Sequence, residues 1–189
     1  DCLSDKMISS ISKLKPKNYP DNKKFYISIE LGFQTSKESS ANFIRRGYEN
    51  SIYTDAVARL HKIAPEIHVV THLIFGLPEE SFEDMINSVN FVLKSQTDGI
   101  KFTVLHVLEN TDLATLWKNG KFQTMSQDEY FEVLKSALQN ISEFYLKTKK
   151  QIVVHRFTGD GAKKILLSPM WTANKKKVLN DIKKYILQN

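Results

Sequence analysis

Four short apolar runs alternate with amphipathic segments along this chain, and that alternation limits its fold more than any other feature. The runs span residues 24–30, 67–75, 100–107 and 151–157. Each run consists mainly of β-branched, aromatic and aliphatic residues with little polar alternation, which is typical of strands buried on both faces. Because a helical segment separates each strand from the next, the sequence predicts a parallel α/β sheet covered by helices.

Helical spacing of apolar residues and helix-start signals mark the segments between the strands. They predict helices over residues 4–14, 35–47, 52–63, 81–93, a short stretch from 111, 126–144 and 174–187. Thr35 with Glu38 and Ser126 with Glu129 have the spacing of capping boxes. Gly47 supplies a permissive stop for the helix that follows the first strand.

Length and composition bound the class of protein. A chain of 189 residues suffices for one domain, predicted here over 1–189, but a complete eight-stranded barrel needs about 250 residues. No apolar run approaches the roughly 18 residues of a membrane helix, so we expect no membrane partner. Cys2 is the single cysteine, which excludes a disulfide framework and a self-contained iron–sulfur site. With no signal peptide at Asp1, the sequence favours a cytoplasmic piece of a longer protein.

The positive charge of the chain is concentrated at its end. The formal net charge is +6, from 27 basic and 21 acidic residues. Residues 163–189 contain seven lysines against Asp181 alone, which accounts for the whole excess. The lysines are Lys163, Lys164, Lys175, Lys176, Lys177, Lys183 and Lys184. This segment is either a solvated helix face or a surface that binds nucleic acid or another acidic partner.

Polar side chains collect where the predicted strands end. In order along the chain they are Glu30, Gln34 and Thr35, then His72, Gly76 and Glu79, then His106, Glu109 and Asn110, then His155, Arg156, Asp160 and Gly161. Because ligands bind at the carboxyl ends of parallel strands, the sequence predicts one site at this edge of the sheet. His72, His106 and His155 also suit a metal-dependent hydrolase, although the apolar neighbours of each are compatible with a structural position and favour one for His106 and His155. His61 and His68 are interpreted as structural.

Several ordered blocks carry a family resemblance. They are Ile29–Thr35, Ile44–Tyr48, Thr71–Glu80, Asp98–Lys101 with Leu105–Leu108, Arg156–Gly161, and Pro169–Trp171 with Asn174–Lys175. In this order and spacing they resemble the radical S-adenosylmethionine (SAM) superfamily. More narrowly, the chain is similar to the bacterial Elongator-related Fe–S oxidoreductase group, from about residue 1 to 186.

The resemblance implies a partial parallel (β/α) barrel of which this chain forms about four strands. It also implies a family-specific helical extension from about residue 120, with the missing strands upstream. The three-cysteine loop of the superfamily is absent. The resemblance therefore implies that a full-length protein, holding a four-iron, four-sulfur cluster, cleaves SAM reductively to a 5′-deoxyadenosyl radical that acts on an unknown substrate. We expect no bound cluster and no activity from this chain alone.

The resemblance also assigns roles to residues. Gln34 matches a glutamine that binds the ribose hydroxyls, and Arg46 matches an arginine that faces the methionine carboxylate. The adenine and ribose would contact Thr35, His72, Ile74, Gly76, Leu77, Pro78 and Glu79. Glu30, His106 and Leu108 would border cofactor or substrate, and Arg156 and Asp160 would lie on the substrate side. Gln34, Arg46 and the 73–79 bend are expected to share one rim.

Partners follow from an incomplete barrel. Its exposed sheet edge leaves backbone groups unpaired, which favours pairing with another chain. The expected partners are the missing N-terminal part of the barrel or a second copy in a homodimer. A tRNA or another nucleic acid is a further expected partner.

Overall fold

The computed structural model describes residues 3–14, 16–20, 25–159 and 161–188. Strands are β1 Ser28–Gln34, β2 His68–Phe75, β3 Gly99–Val104, β4 Val107–Leu108, β5 Val153–Arg156 and β6 Leu166–Ser168. Helices are α1 Asp5–Ser12, α2 Glu38–Phe43, α3 Asn50–Ile63, α4 Phe82–Lys94, α5 Asp112–Lys118, α6 Gln127–Thr148 and α7 Lys175–Gln188, with a 3₁₀ turn over Met170–Ala173. Among the described helices, none has both the length and the apolar character needed to cross a bilayer.

The main sheet contains four parallel strands in the order β1-β2-β3-β5. Helices lie between the successive strands of this sheet in the sequence, as parallel connections require. The predicted α/β class with about four parallel strands is therefore confirmed. Because the strands are parallel, their carboxyl ends lie together at one end of the sheet. The last residues of the four strands are Gln34, Phe75, Val104 and Arg156.

The first and third strands differ from the sequence prediction by more than two residues. The first strand begins at Ser28 rather than at residue 24, since pairing with β2 starts at Ser28 opposite His68. The third apolar run is divided, because Val107 and Leu108 leave the main sheet and pair antiparallel with β6. A run of apolar residues gives no sign of a change of partner, so this small second sheet was not predictable from the pattern.

Two helix starts have capping boxes. Ser81 accepts from the backbone N–H of Asp84 while the Asp84 carboxylate accepts from the Ser81 N–H. Ser126 and Glu129 make the same pair of bonds at the start of α6, as predicted. Each box satisfies two backbone donors at the helix start that would otherwise be unpaired.

The capping box predicted at Thr35 is wrong. Helix α2 begins at Glu38, and Thr35 Oγ1 accepts from the N–H of Lys37 instead. The Glu38 carboxylate accepts from the backbone N–H of Asn50 at 2.7 Å and from Arg46 at 3.2 Å. The Glu38 side chain therefore binds residues outside its own helix and does not cap the helix start.

The core lies between one face of the sheet and the helices. Its largest fully buried side chains include Phe33, Tyr53, Phe75, Phe102 and Tyr130. The opposite face, called here the open face, carries polar side chains that contact one another and are partly exposed. They are Glu30, His68, His72, Lys101 and His155.

Candidate functional site

Gln34 ends β1 in an unusual conformation. Its φ of 63° lies in the left-handed region, which costs free energy for a residue with a side chain. Its amide folds back over Gly32, where a Cβ would lie only 2.6 Å from Nε2. Its Oε1 is buried and has no hydrogen-bond partner within the described part of the chain. A strained residue with an unsatisfied acceptor is typical of a binding position.

Thr35 joins the turn after β1 to the turn after β2. The residue is fully buried, and its Oγ1 donates to Glu80 Oε1 at 2.5 Å. Ser88 Oγ accepts from the N–H of Ser36 at 2.8 Å and lies 3.3 Å from Thr35 Oγ1. Burial raises the pKa of Glu80, and the bond from Thr35 offsets part of that rise. Thr35 is thus a structural anchor next to Gln34, with its hydroxyl already engaged.

Arg46 is turned into the protein. Its side chain is 1% exposed. Its guanidinium donates to the carbonyls of Phe33, Thr35 and Tyr48, and lies over the rings of Phe33 and Tyr48. Since Phe33 belongs to the core, Arg46 lies on the helix side of β1. The guanidinium thus lies beside the backbone on either side of Gln34, and the rim that these two residues are expected to share stays a prediction.

A charged triad occupies the open face at mid-strand. Glu30 Oε2 lies 2.6 Å from His72 Nε2, and Glu30 Oε1 accepts from Lys101 Nζ. The bonds from Lys101 and then His72 hold the pKa of Glu30 below its ordinary value. The sequence had singled out Glu30 and His72, while Lys101 was missed. A lysine inside an otherwise apolar strand was the signal that could have identified it.

The turn after β2 approaches the β1 end closely. Leu73 pairs with Gln34, and Glu80 binds Thr35, so this turn and Gln34 are neighbours, as predicted. Gly76 has a φ of 82°, and a Cβ there would lie 2.6 Å from the Met125 side chain. The space that glycine leaves is thus filled by the chain's own Met125.

Within the same turn, the two glutamates differ in role. Glu79 is exposed with a φ of 63°, and its carbonyl accepts from Lys37 Nζ. Glu80, which sequence reasoning did not single out, carries the contact to Thr35. The left-handed conformation at Glu79 is what turns Glu80 inward, and no local sequence signal shows it. Leu77 is buried, whereas Ile74 and Pro78 are partly exposed.

A cavity of about 600 Å³ lies beside this turn. The turn lines one side of it, and the segment from Lys121 to Met125 lines another. Glu79, Glu80, Glu129 and Glu132 contribute four carboxylates, against the single ammonium of Lys121. Such an acidic lining suits a cationic or hydrogen-bond-donating group better than an anion.

The carboxyl end of β3 meets the glycines after β5. His106 packs against the backbone of Gly159 and Gly161, where a Cβ would come within 3.2 and 2.8 Å of its ring. Leu108 lies in β4, partly exposed. Arg156 Nε is buried without a partner within the described ranges, and the register places Arg156 opposite Lys101. Asp160 lies outside the described residues.

His68 and His155 meet across the strand that separates them. Their Nε2 atoms are 2.9 Å apart, and Gly99 of β3 lies beneath both rings. Burial, followed by the nearby His68 and Lys101, lowers the pKa of His155. The sequence had placed His68 away from any site and His155 at a strand end.

The three histidines proposed as metal ligands are not brought together. His72 binds Glu30, His155 binds His68, and His106 packs on the glycines after β5. Among the residues that the structure describes, no group of three or more His, Cys, Asp or Glu side chains could hold a metal ion.

The chain is similar to a protein-family model, to curated relatives and to solved structures. The family model described as the Radical_SAM C-terminal domain matches residues 97–188. Protein YtqA of Bacillus subtilis is 33% identical over 184 residues, which cover 97% of this chain and 52% of YtqA. The structure of archaeal Methanocaldococcus infernus Elp3 matches with a TM-score of 0.75 and 21% identity, covering 98% of this chain and 39% of Elp3.

A second solved structure, Streptococcus suis SuiB bound to S-adenosylmethionine, matches with a TM-score of 0.53 and 12% identity. The match covers 82% of this chain and 31% of SuiB. At these identities the two structures establish the shared fold. The chain spans about half the length of the curated relatives that it matches over most of its own length.

Proposed function

This chain belongs to the radical SAM superfamily and corresponds to its C-terminal portion, and we propose that it forms one wall of a SAM-binding barrel. When bound, SAM and a reduced four-iron, four-sulfur cluster supply a 5′-deoxyadenosyl radical in this superfamily. Cys2 is the only cysteine here, so the cluster would be held by another part of a longer protein. The role left to this chain is to bind and orient SAM and the substrate.

The buried Oε1 of Gln34 is the observation that carries the proposal. A buried acceptor without a partner costs about 1–3 kcal/mol, and the left-handed backbone adds to that cost. In this conformation the acceptor is closed off, so a ribose hydroxyl would reach it only when the Gln34 amide turns away from Gly32; the hydroxyl can then donate where the protein offers no donor. The residues present therefore fit the nucleoside part of SAM.

Neighbouring groups support the same assignment. The turn after β2 lies next to Gln34, and its backbone is held by the bond between Thr35 and Glu80. The buried Arg46 braces the chain on the other side of Gln34 by binding the carbonyls of Phe33 and Thr35. Such support fixes the position of Gln34 before a ligand arrives, which lowers the entropy cost of binding.

The triad of Glu30, His72 and Lys101 gives the proposed site its polarity. In a closed barrel the open face becomes the interior, where the ion pair of Glu30 with Lys101 and the ring of His72 would border the bound molecule. Glu30 is already bound by two donors, so it orients the other two side chains and is not a free base. The ring of His72 is held through Nε2, and within the described part of the chain its Nδ1 has no hydrogen-bond partner.

Binding of the nucleoside can be measured without the cluster. We expect S-adenosylhomocysteine, titrated into ¹⁵N-labelled chain, to shift the side-chain amide of Gln34 and backbone amides of the turn after β2. Gln34→Gly should abolish these shifts. Gln96→Gly is the matched control, since Gln96 has a φ of 66° but lies on the far edge of the sheet, where its carbonyl accepts from Lys150. If the backbone amides of the turn after β2 shift equally in wild type and in Gln34→Gly, the proposal is contradicted.

A separate experiment tests whether the iron–sulfur cluster is held outside this chain. Iron and sulfide are added anaerobically to this chain and, in parallel, to the longer gene product that contains it. We expect the absorption band of an iron–sulfur cluster only from the longer protein. A stoichiometric cluster on the 189-residue chain would contradict the assignment of the cluster to another part.

A further inference from the structure

The outer face of α7 carries four exposed lysines. They are Lys176, Lys177, Lys183 and Lys184. Within the described ranges, none of their ammonium groups lies at ion-pair distance from a carboxylate. At 100° per residue, all four lie within about a third of the helix circumference. We call this surface the lysine face.

The rest of α7 is committed to the protein. Val178 and Ile182, on the opposite side of the helix, are 1% and 3% exposed within the core. The ring of Tyr185 packs on Phe131 of α6 with centroids 5.6 Å apart. The single acidic residue of the helix, Asp181, accepts from Gln127 Nε2 at 3.2 Å. The helix is thereby fixed with its lysine face outward.

The spacing of the lysines selects the class of ligand. They form two adjacent pairs separated by seven residues, or about 10 Å along the helix axis. A small anion cannot reach both pairs, whereas a polymer with regularly repeated charges can. Since the remainder of the chain has no net charge, the attraction is concentrated in this terminal segment.

A nucleic acid fits the lysine face better than a membrane does. A helix that lies on a bilayer inserts an apolar face. The apolar face of α7 is already buried against α6. The other exposed side chains of the lysine face are Asn180 and Leu187. Neither has a ring on which a base could stack, so binding would depend on the phosphates.

We propose that the lysine face of α7 binds the phosphate backbone of a nucleic acid without reading its sequence, and RNA is the probe that tests it. Each lysine contacts a phosphate and releases condensed counterions, which makes the binding strongly dependent on salt. The interaction positions a nucleic acid against the C-terminal side of the molecule. It is independent of the proposed SAM site, because no residue of that site belongs to α7.

The test is fluorescence polarisation with a labelled 20-nucleotide single-stranded RNA over a series of NaCl concentrations. The variants are Lys176→Gln with Lys177→Gln, and Lys183→Gln with Lys184→Gln. We expect each pair to weaken binding about tenfold at 0.1 M salt, and to reduce the slope of log K against log salt by about 1.4, at about 0.7 per phosphate contact. Thermal unfolding of each variant checks that the fold is retained.

The matched control removes two exposed lysines elsewhere, Lys6→Gln with Lys62→Gln, which changes the net charge equally. We expect its affinity and slope to stay close to those of the wild type. Three results would overturn the proposal: no binding by the wild type at 50 mM salt, equal weakening by the control, or binding to anionic phosphatidylglycerol vesicles but not to RNA. None of these results would bear on nucleoside binding at Gln34.

Discussion

Thr35 Oγ1 donates a 2.5 Å hydrogen bond to Glu80 Oε1, across 45 residues of sequence. This bond joins the turn after β1 to the turn after β2, the two segments that flank Gln34. Thr35 is fully buried and Glu80 is partly buried, so the bond is partly protected from competition by solvent. The position of the candidate site therefore depends on a buried polar contact as well as on the sheet.

The first prediction concerns Glu80 and pH. Burial raises the pKa of Glu80 above its ordinary 4.5, so the folded protein holds this proton to higher pH than the unfolded chain does. The associated stability is complete below pH 4.5 and is lost as pH rises through the folded pKa. We expect Glu80→Gln to remove this loss, so that the variant gains stability relative to wild type between pH 4 and 8.

Urea denaturation at several pH values measures this difference in the free energy of unfolding. Glu83→Gln is the control, because Glu83 occupies the first turn of the same helix and is exposed. A difference between Glu80→Gln and wild type that stays constant with pH would show that Glu80 titrates alike in both states.

The second prediction concerns Arg46. Arg46→Met removes a donor from the carbonyls of Phe33, Thr35 and Tyr48, of which the Phe33 carbonyl still accepts from the N–H of Thr35. Because the guanidinium is almost fully buried, we expect the free energy of unfolding to fall by about 2–4 kcal/mol. Chemical denaturation measures the loss. Arg45→Met, which removes a side chain that is 82% exposed, should leave stability nearly unchanged, and equal losses in the two variants would contradict the bracing role.

The third prediction concerns the contact of His68 with His155. A Cβ on Gly99 would lie 2.6 Å from the His155 ring and 3.0 Å from His68 Nε2. We expect Gly99→Ala to separate the two rings and to cost about 1 kcal/mol of stability, since the rings can move partly aside. The cost should be smaller in a His155→Ala background. A double-mutant cycle measures this coupling, and an equal cost in both backgrounds would exclude it.

The fourth prediction concerns the charged triad. Lys101 is the main cause that holds the pKa of Glu30 below its ordinary value. We expect Lys101→Met to raise the pKa of Glu30, as measured by NMR titration of its side-chain carboxyl carbon. Lys94→Met removes an exposed lysine of α4 and should leave that titration unchanged. An unchanged Glu30 titration in Lys101→Met would show that the ion pair is not maintained in solution.

Local patterns were sufficient for the sheet and for most helices. The runs that form β2 and β3 are apolar mainly because their core-facing side chains are buried, and burial of that kind is visible in composition. The capping box at Ser126 was visible for a similar reason. Its partner Glu129 lies three residues away, so no distant part of the chain is needed to form it.

Predictions from sequence patterns failed where a side chain could bind either a local or a distant partner. Glu38 has capping spacing but binds Asn50 and Arg46, and Arg46 has the position of a ligand contact but binds backbone carbonyls. Lys101 was overlooked for the same reason, since its partner Glu30 is on a strand two places away in the sheet. Spacing along the chain carries no information about such choices.

The sequence by itself determined the α/β class, the parallel sheet and the family resemblance, because burial and ordered motifs leave their mark on residue types. Only the tertiary structure decided that Gln34 keeps a buried acceptor unpaired, that Arg46 turns into the core, and that Glu80 rather than Glu79 reaches Thr35. These outcomes depend on which groups meet after the strands have paired. Hydrogen bonds act over about 3 Å, and that proximity is set by the packed chain as a whole.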